Sequence, residues 1–226
     1  MGLNIIFEDE QVLVVKKDAG IPVQAGKMRI MDLQGLIKNE LYKRNRSGGE
    51  PYLGLVHRLD QPVEGVMVFA KTPVAAAELS KQVTDGRMKK HYLACVCGKP
   101  TESTGILVDY LLKDGRTNTS SVVAKGVKDA KRSELNYKVL KTGETTTLVE
   151  VELLTGRHHQ IRVQMANAGW PLYGDTKYNP QFQNVTEHVQ TALCAYKLSF
   201  VHPKTKKTME FCIQPDNSVL NQGLLP

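Results

Sequence analysis

Two apolar runs, Tyr52-Leu53-Gly54-Leu55-Val56 and Gly65-Val66-Met67-Val68-Phe69-Ala70, enclose the polar tetrapeptide His57-Arg58-Leu59-Asp60. The pair reads as two buried strands joined by a short connection, and it constrains the fold more than any other stretch. Aspartate is poor in strands, so Asp60 needs a reason to be there. One reason is a turn, which Asp60-Gln61-Pro62 suits. The other is a catalytic carboxylate. The tetrapeptide alone leaves both open.

A second segment bears on the choice. In Leu154-Thr155-Gly156-Arg157-His158-His159-Gln160-Ile161-Arg162-Val163, Thr155 is placed to N-cap a helix. Ile161, Met165 and Ala168 then share one apolar face, and Gly169 stands where the helix should stop. Arg162 neighbours Ile161 and Met165 in helical projection, at the buried edge. A buried guanidinium calls for an anion, and Asp60 is the candidate. The alternative is a surface arginine with no particular partner.

The rest of the chain predicts mixed structure. Strands are expected at 5–7, 12–15, 53–57, 66–70, 92–96, 135–140, 146–153, 192–200 and 208–213. A helix is expected from Asp32 to Tyr42. A second should begin after Thr72 with Pro73 in its first turn and end near Gly86, with Ala76, Leu79 and Val83 inward. Strands outnumber helices and many are linked by short polar turns, so the class is α+β with a largely antiparallel sheet. Residues 43–51 read as a flexible loop. Residues 114–133, rich in Thr, Ser and Lys, read as a mobile insertion, and the tail after Pro215 as frayed.

The 226 residues carry a formal net charge of +7, which favours a polyanionic partner, although lysine-rich surfaces also serve solubility. The four cysteines, Cys95, Cys97, Cys194 and Cys212, lie in apolar strand-like runs and form no C-x-x-C pair. Buried reduced thiols are expected rather than structural zinc. No signal peptide and no apolar run of membrane-spanning length is evident, so the chain reads as a soluble cytoplasmic protein.

Five blocks, in order, resemble the RluA-type pseudouridine synthase family, whose members isomerise uridine in RNA. They are Ile5–Glu10 through Val14–Gly20; His57-Arg58-Leu59-Asp60 through Ala70-Lys71-Thr72; Arg87–Ala94; the Thr-Gly-Arg segment with Gln160-Ile161-Arg162 and Gly174-Asp175; and Ala192–Ala195 through Phe200–Pro203. The resemblance implies a pseudouridine synthase fold, a largely antiparallel mixed β-sheet flanked by helices and loops around a central active-site cleft. It implies one catalytic domain over residues 1–226. The Glu-Asp-Glu block begins at residue 8, leaving no room ahead of it for the N-terminal S4 RNA-binding domain that many relatives carry.

The resemblance also assigns residues. Asp60 is the essential carboxylate, acting as nucleophile at the sugar or as base on the 2′ proton. Tyr92 stacks on the uracil with its hydroxyl where a proton leaves C5, and Arg162 keeps Asp60 ionised. Leu193 walls the other side of the base, and Arg58 holds the flipped nucleotide or grips phosphate. His57, Arg157, Gln160, Lys89 and Lys90 complete the substrate-binding set. No metal or other cofactor is implied. The partner is a structured stem-loop of ribosomal or transfer RNA, bound by a monomer with no membrane. Asp18, Gln61 to Glu64, His158, Gln164 and Cys194 depart from the family pattern, and Glu64 adds an acid near Asp60. Two other readings compete: an RNA-binding factor without turnover, and a metal hydrolase built on Asp60, His57 and the His158/His159 pair, whose adjacent rings should not face one another on a helix.

Overall fold

The strand pattern between Val12 and Ala70 dictates the centre of the first half. Val12–Val15 and Val66–Ala70 are continuous rather than alternating in apolar character, and all of these residues are at most 1% exposed. Both faces of these strands are therefore covered, as a continuous apolar run requires. The computed structural model describes residues 3–25, 31–44, 49–187 and 189–221. In chain order its elements are β1 (Asn4–Glu8), β2 (Val12–Lys17), α1 (Leu33–Arg44), β3 (Gly54–Leu55), β4 (Glu64–Ala70), α2 (Pro73–Thr84), β5 (Lys89–Cys97) and β6 (Thr104–Asp114). There follow β7 (Thr119–Val123), β8 (Lys131–Thr142), β9 (Thr146–Leu153), α3 (Gln160–Asn167), a 3-10 turn at Pro180–Phe182, β10 (Leu193–Val201), β11 (Thr208–Cys212) and α4 (Ser218–Asn221). The class is α+β, with few helices.

The chain divides into two units, residues 1–89 with 195–213, and residues 90–194 with 214–226. In the first, β2 pairs antiparallel with β1 and β4, β3 pairs antiparallel with β4, and β10 with β11. Val12, Val14, Val66, Val68 and Ala70 pack with Ala75 and Leu79 of α2 and with Met88, Leu198 and Phe200. Gly65 (φ +152°) permits a close approach: a Cβ there would lie 2.4 Å from Ala195 Cβ and 2.7 Å from its backbone N. Helix α2 starts as its sequence predicts, with Thr72 Oγ1 accepting the Ala75 N–H (3.1 Å) and Pro73 in the first turn. Its inward face is set by Ala75, Leu79 and Gln82, with Ala76 and Val83 only partly buried. Gln82 is tolerated there because its amide exchanges two 2.8 Å hydrogen bonds with the Val201 backbone.

The second unit is an antiparallel run in the order β5, β9, β8, β6, β7. Tyr92, Ala94, Val96, Leu135, Tyr137, Val149 and Val151 are buried, as are Ile161 and Met165 of α3. Ile106 and Val108, at alternate positions of β6, stay exposed.

Several expectations need correction. Residues 114–133 are not a mobile insertion: β6 ends in them, β7 lies within them and β8 begins in them, with turns between. Most of their polar side chains are exposed, but Ser120 and Ser133 are buried, and Ser133 Oγ donates to the Asp109 carbonyl (3.0 Å). The tail after Pro215 holds α4, with Asn217 and Leu220 buried; residues 222–226 lie outside the described residues. Helix α1 extends through Lys43 and Arg44, the start of the expected loop, and residues 45–48 lie outside the described residues. The expected strand at 53–57 is only Gly54–Leu55. Cys95 and Cys194 are buried free thiols, but Cys212 is exposed.

Candidate active site

In the first unit β3 leaves β4 after Leu55, and His57 takes over its edge. The His57 Nε2 accepts the N–H of Val68 (3.1 Å), so the ring serves the ladder that β3 has abandoned. Arg58 is exposed and Leu59 buried, which anchors the tetrapeptide between solvent and core. Asp60 is half-buried, and its carbonyl accepts the Val63 N–H (3.1 Å). The turn reading of Asp60-Gln61-Pro62 is thus correct for the backbone.

Beneath that turn lies Lys17, which the sequence reading did not single out. It is fully buried, and its Nζ donates to the carbonyls of Asp18 (2.9 Å), Ile21 (2.7 Å) and Gln61 (3.0 Å). Burial pulls its pKa down to about 8, against the attraction of Asp60, Asp18 and Glu64. Glu64, the acid that departs from the family pattern, is itself 1% exposed. The signal for Lys17 was present in the alternation: it shares a strand face with Leu13 and Val15, where lysine is rare.

In the second unit Tyr92 is buried on β5 opposite Val151 of β9, and Leu193 is buried at the start of β10. Lys89, the last residue of the first unit's opening segment, is exposed. Lys90 is half-buried, with its Nζ 3.5 Å from where a Cβ on Gly156 would stand, and burial lowers its pKa. These two lysines therefore differ in how far they present their charge to solvent.

Arg162 is 3% exposed, and its fork is engaged by Asp175: Nε to Oδ2 and Nη2 to Oδ1, each 2.7 Å. Asp175, which stands in the fourth block but not among the residues the resemblance assigns, is an anion that the structure puts on this guanidinium. Its Oδ1 also accepts the N–H groups of Lys177 (2.9 Å) and Tyr178 (3.2 Å). The guanidinium carbon lies 5.3 Å from the centre of the Tyr178 ring, within cation–π range.

The loop before α3 differs from its expected form. Thr155 is not the N-cap; that position is His159, in the left-handed region at φ 53°. Gln160 closes the loop instead. Its Oε1 accepts from Thr155 Oγ1 (2.8 Å) and the Arg157 N–H (3.0 Å), and its Nε2 donates to the Glu134 carbonyl (3.1 Å). Its amide shapes the segment that displays Arg157, which is exposed and donates from Nε to the Arg132 carbonyl (3.0 Å). Gly169, at φ +89°, ends α3 as expected.

The backbone reversal at His159 also turns the two histidine rings face to face, with centroids 3.8 Å apart, contrary to the helical expectation. His158 reaches Ser120 Oγ with Nδ1 (2.9 Å) and Asn118 Oδ1 with Nε2 (3.1 Å), pinning the β6–β7 hairpin. Tyr178 Oη accepts the Ser120 N–H (2.8 Å), so its own proton points to His159 Nδ1 (2.7 Å). Burial, reinforced by Arg162, His158, Lys177 and Lys113, drives the His159 pKa down to about 2, which keeps this ring a neutral acceptor. Among the described residues, no group of three or more His, Cys, Asp or Glu is arranged to hold a metal ion. No helix among them is long and apolar enough to cross a membrane.

Comparison with known proteins places this arrangement. A model of the RNA pseudouridylate synthase family matches residues 11–167. The chain is 34% identical over 215 residues to an RNA pseudouridine synthase of Bacillus subtilis, covering 93% of this chain and 68% of that protein. It is 33% identical over 231 residues to ribosomal large subunit pseudouridine synthase D of Nitrosomonas europaea, covering 98% of this chain and 65% of that one. The fold is similar to the solved human RNA pseudouridylate synthase domain containing 4, with a TM-score of 0.78 at 22% identity over 96% of this chain and 92% of that chain. The chain belongs to the RNA pseudouridylate synthase family, and its activity is isomerisation of uridine to pseudouridine in RNA. It spans about two thirds of the length of these two curated relatives.

Proposed function

We propose that this enzyme modifies uridine in a structured loop of large-subunit ribosomal RNA, with Asp60 as the essential carboxylate. The observation that carries the substrate is the run of similar relatives named for the large ribosomal subunit. The reaction breaks the C1′–N1 bond, turns the uracil and joins C5 to C1′; the C5 proton is lost and N1 gains one. Asp60 acts in its ionised form whether it attacks C1′ or removes the 2′ proton. Tyr92 supports the uracil ring, Leu193 bounds it, and Arg162, whose fork Asp175 holds in place, is the third member of the catalytic set. The family order of the blocks supports each of these roles.

The base must leave its stack to react, at a cost of roughly a few kcal/mol, so an unpaired uridine is the preferred target. Arg58 and Arg157, both exposed cations, contact the phosphates around it. The test is tritium release from 5-labelled uridine in ribosomal and transfer RNA transcripts, with wild-type protein and Asp60→Asn. The wild type should release tritium from ribosomal RNA, and the variant should bind that RNA within a few-fold yet release none. Turnover by Asp60→Asn would refute the carboxylate's role, and activity confined to transfer RNA would refute the substrate.

A further inference from the structure

Lys17 takes no part in the chemistry proposed above, yet its position gives it a task. It ends β2 opposite Gly65 in the β2–β4 register, where the chain enters β4 from the Asp60 turn. Two of its three acceptors, the carbonyls of Asp18 and Ile21, belong to one loop; the third, Gln61, lies inside the turn that Val63 closes on Asp60. The same two segments are tied twice more, by Gly20 N–H to the Gln61 carbonyl (2.8 Å) and by Gln61 Nε2 to the Gly20 carbonyl (3.1 Å). An ammonium has three protons, and all three are used here. A neutral amine has two, so its formation leaves one of the three carbonyls without that donor.

We propose that Lys17 is a positioning residue for Asp60: its charged form, donating at once to the Asp18–Ile21 loop and to Gln61, fixes the turn that presents the Asp60 carboxylate. This rests on the reading of Asp60 as the essential carboxylate. The charged groups acting on Lys17 are Asp60 and Glu64, from the turn and the first residue of β4, and Asp18, next in the chain. With burial holding the lysine near 8, the positioning is complete below that pH and lost as pH rises through it.

The test is the single-turnover rate of tritium release from 5-labelled RNA between pH 6 and 10. Wild type should show an alkaline limb near pH 8. Lys17→Met should lose about 10–100-fold at pH 7, the scale of a misplacement of ~1 Å, with RNA affinity retained. Because Lys17→Met leaves three carbonyls without this donor, Glu64→Gln provides an arm that keeps the lysine. Removing that anion should move the alkaline limb to lower pH, a change that a purely structural lysine would not produce. A Glu64→Gln enzyme whose limb stays in place, or a folded Lys17→Met enzyme with the wild-type rate and limb, would overturn the proposal. Asp60→Asn is run alongside. If it turns over, the basis of both readings is gone; if it is inactive while the Lys17 and Glu64 arms match wild type, only the positioning role falls.

Discussion

Replacing Asp175 by Asn tests the electrostatic core of the second unit. The carboxylate receives four hydrogen bonds: two from Arg162, one from the Lys177 N–H and one from the Tyr178 N–H. An amide of the same shape keeps one acceptor oxygen. Placed to satisfy the two backbone N–H groups and Nη2, that oxygen leaves the amide NH2 facing Arg162 Nε, donor against donor. Both partners are at most 3% exposed, so water does not repair the loss. Deleting one member of a buried ion pair costs about 3–5 kcal/mol. For a chain of this size each kcal/mol moves the melting temperature by about 2–4 °C, giving a fall of about 6–20 °C. Near-UV circular dichroism melts of wild type and Asp175→Asn would measure it. The paired change Arg162→Met with Asp175→Leu removes both charges, and most of the lost stability should return while isomerisation does not. An Asp175→Asn protein melting within ~2 °C of wild type would refute the ion pair as a structural element. A double variant no more stable than the single would refute the charge argument.

Three further outcomes follow from the geometry. Leu79→Ala, which opens a void where Leu79 packs with Val12, Val14, Leu198 and Phe200, should cost about 2–5 kcal/mol in urea unfolding without changing the rate per folded molecule. At Asp9, burial opposes ionisation, but the N–H groups of Val12 and Gln11 and the His202 ring outweigh it and hold the carboxyl below its usual range. A depressed carboxyl adds stability that is full above its unfolded pKa of about 3.8 and is lost as pH falls through the folded value, so wild-type and Asp9→Asn melting temperatures should differ at pH 6 and converge toward pH 2. Lys89→Ala should lower the slope of log affinity against log salt by about 0.7–0.9, one phosphate's worth, whereas Lys90→Ala should change it less because that ammonium is half-buried over Gly156; filter binding across a salt series decides.

Apolar periodicity made the elements with a strong buried face legible. Val12–Val15, Gly65–Ala70, the Thr72-Pro73 helix start and the Gly169 stop could all be read from local chemistry, because each depends on neighbours within a few positions. Strands β6 and β7 could not. Ile106 and Val108 face solvent while Ser120 and Ser133 are buried, so apolar alternation points the wrong way there. What orders the segment is hydrogen bonding to distant residues, such as Tyr178 to the Ser120 backbone and Ser133 to the Asp109 carbonyl, and no local pattern announces those bonds. The α4 tail escaped for the same reason: Asn217 is held by its amide to the Thr191 carbonyl (3.5 Å) as well as by the burial of Leu220.

Among the site residues, burial was easier to foresee than partnership. Helical projection placed Arg162 at the buried edge, but a guanidinium's partner is a three-dimensional fact, and Asp175 reaches it only because the chain folds back after Gly169. The same distinction explains Gln160 and His57. Both lie in segments marked by family resemblance, which cannot separate a residue that touches substrate from one that builds the loop. The bonds from Gln160 to Thr155, Arg157 and Glu134, and from His57 to Val68, show loop-building work for both side chains. A lysine or arginine held this deep is sustained by saturating its donors. Lys17 spends its three on carbonyls, and Arg162 commits its fork to a carboxylate already neutralised in part by two backbone N–H groups. Such centres resist small changes of position, because each displacement breaks several charge-assisted bonds together. That resistance is what a reaction requiring a sugar, a turning base and a proton acceptor to stay in register demands of its scaffold.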